Sequence, residues 1–111
     1  MGREAQVCTL RIYADDKGRE PFTDWLQGIR DPIHRRRILA RLRRLETGNA
    51  GDSKSVGEQV FELRLHFGPG YRIYYARHAD VIIVILLGGT KSTQRSDIDR
   101  ARKLWQEYLN S

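Results

Sequence analysis

The sequence has 111 residues, 40% of them hydrophobic and 31% charged, which fits a single globular domain over 1–111 and excludes a disordered chain. A formal charge of +6 and a pI near 9.9 favour anionic partners, nucleic acid first and acidic protein segments second. One cysteine, Cys8, excludes an internal disulfide and a cysteine-based metal site, and no apolar run reaches the roughly 20 residues of a membrane span.

Residues 7–14, VCTLRIYA, are apolar and β-prone, with Thr9 and Arg11 at alternate positions, and predict a first strand closed by the turn Asp15-Asp16-Lys17-Gly18. In REPFTDWLQGI, Pro21 suits a first helical turn, and Phe22, Trp25, Leu26 and Ile29 recur at helical spacing. Asp31-Pro32 ends that helix and opens a second, PIHRRRILARLRRLETG. Ile33, Ile38, Leu42 and Leu45 form its apolar stripe, six arginines cover much of the rest, and Gly48 is a natural C-terminal stop. Residues 48–58 read as a glycine- and serine-rich loop, too short to divide domains.

Two strands follow, at about 60–67 and 71–77, joined by Gly68-Pro69-Gly70. A tight turn at 77–80 leads to the apolar run 81–87, a central strand covered on both faces and ended by Gly88-Gly89. Ser96-Asp97-Ile98-Asp99 resembles a capping box, after which Ile98, Ala101, Leu104, Trp105 and Tyr108 line one face of a last helix. The predicted order is β-α-α-β-β-β-α: an α+β domain with helices packed on a small sheet.

The chain carries no Walker A loop, GxGxxG or HExxH, and its three histidines lie on different elements, so a metal site is not expected. What it offers is cations on strand faces and strand ends. With Leu63 and Leu65 facing the core, Arg64 and His66 face outward, and Arg72 and Tyr74 share one face of the next strand. Lys54 precedes this hairpin and Lys91 follows the central strand. Converging at one end of the sheet, such residues would hold a phosphate, Arg by a bidentate fork and Lys as a point charge. Each alone is ordinary solvated surface; several cations together with exposed aromatic rings point to RNA.

The order and spacing of GNAGDSKSVGEQVFELR, GPGYRIYY and LLGGTKSTQRSDI resemble the RelE/ParE toxin superfamily, and within it the HigB-like, phage-derived (Gp49-like) addiction module killer proteins. The likeness runs from about Arg11 to Leu109. It implies two N-terminal helices and a C-terminal helix on a small curved, mainly antiparallel sheet. It also implies a cytoplasmic type II toxin, an mRNA interferase that cuts mRNA on the ribosome and arrests translation. Its partners would be ribosome, mRNA and a cognate antitoxin, of helix-turn-helix type and encoded next to it, with no membrane, metal or cofactor. Carried over by position, Arg64, Arg72, Lys54 and Lys91 are the expected catalytic residues. His66, Tyr74, Thr93 and Gln94 are the expected RNA-binding residues, with His66 the candidate general acid. Two alternatives share the fold: a ParE-like gyrase inhibitor without nuclease activity, and a basic nucleic-acid or protein-binding module.

Overall fold

The computed structural model describes residues 7–79 and 82–111. A short strand, β1 (Thr9–Ile12), leads into two helices, α1 (Pro21–Gln27) and α2 (Pro32–Glu46). Both helices begin at proline, where a missing N–H costs nothing. The Asp31 carboxylate caps α2, accepting the backbone N–H groups of Ile33 and His34 at 2.8 and 3.4 Å. At the other end Gly48 takes φ +88°, and the Gly48 and Asn49 N–H groups donate to the Leu45 and Arg44 carbonyls, a glycine-dependent stop.

Four further strands, β2 (Ser53–Ser55), β3 (Val60–Arg64), β4 (Tyr71–His78) and β5 (Ile82–Thr90), complete a five-stranded sheet. The strand order is β1-β5-β4-β3-β2, with β1 parallel to β5 and the other pairs antiparallel. A 3₁₀ turn, Lys91–Thr93, then opens α3 (Gln94–Leu109).

Side chains alternate along the strands and build two cores. Leu63, Ile73, Tyr75, Ile83 and Ile85 pack under Phe22 of α1 and Ile38, Leu42 and Leu45 of α2. Val60, Tyr74, Ala76, Val84 and Leu86 pack against Ala101, Leu104 and Trp105 of α3. Helices therefore cover both faces of the sheet. A bulge opposite Tyr74 and Tyr75 places an extra residue in β5, so that Leu86 and Leu87 both join the α3 side.

The expected α+β class holds, with two N-terminal helices and one C-terminal helix on a mainly antiparallel sheet. Several details differ. The loop expected at 48–58 contains β2, whose Ser-Lys-Ser sequence has little intrinsic strand signal and which exists because it pairs with Phe61–Leu63. β5 continues through Gly88-Gly89 instead of ending there. α3 starts two residues before the expected box, and the reciprocal capping contact lies between Thr90 and Thr93. Ile33, expected in the buried stripe, is 59% exposed, because it sits in the first turn of α2, ahead of the buried residues Ile38, Leu42 and Leu45. Asp80 of the expected turn and Val81 of the expected strand lie outside the described residues. Among the described residues no helix is long and apolar enough to cross a membrane.

Candidate functional site

The sheet register assembles the site. Lys54, Glu62, Tyr74 and Leu87 stand opposite one another across four strands, and Arg64, Arg72 and Gly89 form the next row. Paired residues share a face, and Tyr74 belongs to the α3 side. The sequence placed Arg64 and Arg72 on the face away from Leu63; that face is roofed in part by the start of α3.

Glu62 is the centre of this arrangement, and its side chain is wholly buried. Its carboxylate accepts Arg64 Nε at 3.0 Å, the Tyr74 hydroxyl at 3.1 Å and Gln94 Nε2 at 2.7 Å. Arg72 Nε stands 3.9 Å away. Burial pushes the Glu62 carboxyl up, but the hydrogen bonds from Gln94, Arg64 and Tyr74, with the Arg64 charge, outweigh it and hold the group below its ordinary range. Burial, followed by the charge and hydrogen bond of Glu62, pushes the Tyr74 phenol well above its usual value. Glu62 is thus an anion at neutral pH and Tyr74 a neutral donor.

Two arginines directly opposite each other would ordinarily repel. The shared carboxylate offsets part of that repulsion and fixes the Arg64 guanidinium by its Nε. The Arg64 side chain keeps 30% of its exposure and that of Arg72 keeps 10%. Arg72 also donates from Nη1 to the carbonyls of Gly70 and Tyr71, at 3.4 and 3.3 Å, while its buried Nε has no hydrogen-bond partner among the described residues.

Lys91 enters from the far side of Gly70. Its backbone N–H donates to the Gly70 carbonyl at 2.8 Å. A Cβ built on Gly70 would lie 3.4 Å from Lys91 Cβ and 3.6 Å from Arg72 Nη1, so these two cationic residues approach each other across a glycine at φ +77°. Lys54, Arg64, Arg72 and Lys91 therefore occupy one end of the α3 face. Lys54 and Lys91 are exposed; two arginines reach the Glu62 carboxylate, and Lys54 stands next to Glu62 in the sheet register. Such a cluster attracts and orients a phosphodiester.

The expected RNA-binding residues divide. His66 is exposed and pairs through Nε2 with Asp52 at 2.5 Å, at the rim beyond Arg64. Thr93 is exposed and donates to Asp97 at 2.5 Å, and Gln94 is tied to Glu62. Tyr74 is a correction: it is fully buried, so its ring cannot stack on a base, and its hydroxyl serves Glu62 instead. Sequence reading missed Glu62 itself. The available signal was its position two residues before Arg64, which puts both on one face of a strand. Among the described residues no group of three or more His, Cys, Asp and Glu side chains is placed to hold a metal ion.

A family model described as Phage derived protein Gp49-like (DUF891) matches residues 24–106 and so spans every residue of the cluster. The chain belongs to the Gp49-like family. The chain is also similar to an uncharacterised protein of Haemophilus influenzae, 44% identical over 86 residues, covering 78% of the present chain and 87% of that protein.

Proposed function

We propose that this Gp49-like protein is the toxin of a type II toxin–antitoxin module, and that it acts as a HigB-like, ribosome-dependent endoribonuclease. The observation that carries this reading is the buried Glu62, which anchors Arg64 beside Arg72 with Lys54 and Lys91 flanking them. A buried carboxylate with that many donors is costly for a surface that merely needs charge. It is well suited to fixing guanidiniums where negative charge develops. The resemblance of the family's motifs to RelE-like toxins points the same way.

In this reading the ribose 2′-oxygen attacks the adjacent phosphorus and the bond from phosphorus to the 5′-oxygen breaks. The products are a 2′,3′-cyclic phosphate and a 5′-hydroxyl. The 2′-hydroxyl gives up one proton and the leaving oxygen takes one. Arg64 and Arg72 stabilise the phosphorane, and Lys54 and Lys91 hold the strand. His66, oriented through Nε2 by Asp52, gives the leaving 5′-oxygen its proton, and the 2′-hydroxyl proton passes to solvent water. The cognate antitoxin, a helix-turn-helix protein from the adjacent gene, neutralises the toxin by covering this basic face with an acidic segment.

Induced expression in a bacterial host tests the proposal. The wild type is expected to stop growth and amino-acid incorporation, and co-expression of the neighbouring gene is expected to restore both. Arg64→Ala is expected to be harmless while still accumulating as folded protein. An Arg64→Ala protein as toxic as the wild type would contradict the reading.

A further inference from the structure

The side chain of Arg64 belongs to the Glu62 cluster, yet Arg64 also lines a second feature. β2 pairs with β3 as far as Leu63, and the Arg64 N–H, at the end of β3, donates to the Asp52 carbonyl at 2.8 Å, so that the 51–52 loop lies against the end of the strand. There a groove of about 440 Å³ opens between α2, the 51–52 loop and the end of β3. Arg37, Arg41 and Arg44 line it from one face of α2, with Arg64, His66 and Phe67 from the hairpin. Four guanidiniums face a single lining carboxylate, Asp52, which is already engaged by His66.

Three details distinguish this groove from a solvated basic surface. Arg41 lies against Gly51, at φ +57°, so closely that a Cβ there would sit 1.7 Å from Nη2 and the guanidinium would have to move. Arg41 Nη1 is buried and has no hydrogen-bond partner among the described residues, an unfavourable state that an incoming acceptor relieves. The Arg37 guanidinium stacks 3.9 Å over the Phe67 ring, presenting a flat cationic surface of the kind on which an unpaired base stacks.

We infer that this groove is a second phosphate site, which holds a backbone phosphate of the same single-stranded RNA whose scissile phosphate lies at the Glu62 cluster. The inference rests on the nuclease reading above. The RNA would pass over the 51–52 loop at the end of β3, with Arg64 belonging to both sites. Forked guanidiniums beside an arginine–aromatic stack suit a nucleotide better than a carboxylate side chain.

Anisotropy titrations of the full chain test it, using labelled oligoribonucleotides methylated at every 2′-oxygen so that no attack can occur. The octanucleotide is expected to bind the wild type more tightly than the trinucleotide. Arg41→Gln is expected to remove that gain, leave trinucleotide binding unchanged and lower the salt slope by about 0.7 for the lost phosphate. Because Arg41 is partly buried, the exposed pair Arg37→Gln/Arg44→Gln provides a second variant with the same expectation. Arg19→Gln removes an equal charge from the turn before α1 and is expected to change neither titration. An octanucleotide advantage that survives in both groove variants would overturn the inference. So would a polyglutamate chain that displaces the octanucleotide from the wild type but not from Arg41→Gln, since the groove would then hold protein. Failure of the nuclease reading looks different: Lys91→Gln, which lies outside the groove, would then leave trinucleotide binding as before.

Discussion

Glu62 joins three elements of this molecule through one buried carboxylate. It links β3 to β4 through Tyr74, to α3 through Gln94, and to the guanidinium of Arg64. Removing one member of a buried charged set leaves the others unpaired, so Glu62→Ala is expected to cost about 3–5 kcal/mol by urea denaturation. The pH dependence follows from the direction of its shift. A carboxyl held below its ordinary value of 4.5 contributes stability above that pH and loses it as the pH falls through the folded-state value. Acid unfolding of Glu62→Gln is therefore expected to show a flatter limb below pH 4.5 than the wild type; an unchanged limb would mean that Glu62 is not ionised in the fold. Arg64, Arg72, Lys54 and Lys91 were legible as cations near a strand end. Glu62 was not, because in sequence a lone acid among basic residues reads as solvated surface.

At the level of elements, the site depends on close approach across β5. A Cβ on Gly88 would lie 2.2 Å from the Trp25 ring of α1, and one on Gly89 would lie 1.9 Å from the Asp97 carboxylate of α3. The glycine pair thus lets helices on opposite faces sit down on the same stretch of strand, and the start of α3 can bring Gln94 to Glu62. Gly88 does not have a positive φ, so its replacement is a steric matter. Gly88→Ala is expected to destabilise by about 1–3 kcal/mol through overpacking, measured as a lower Tm, whereas a thermally neutral Gly88→Ala would contradict this packing. This explains why the sequence misled about the end of β5. Glycine pairs usually stop strands, and only the helices arriving later in space show why this one continues. β2 was hidden for the same reason: three polar residues become a strand by pairing with β3. The elements that were legible, α2 with its aspartate cap and glycine stop and the β3–β4 hairpin with its Gly-Pro-Gly turn, owe their form to local chemistry.

The molecule as a whole has +6 of formal charge, and its cations are not spread evenly. One set lies about Glu62 on the α3 side of the sheet, and another lines the α2 groove at the end of β3. Composition predicted an anionic partner but not this arrangement, which depends on the strand register and on how α2 packs beside the 51–52 loop. The most direct test of the central claim is primer extension on mRNA held in programmed ribosomes, comparing the wild type with Arg64→Ala. The account predicts cuts in the ribosome-bound message with the wild type, none with Arg64→Ala, and none on the same message without ribosomes. Intact message with a folded, toxic wild-type protein would contradict it.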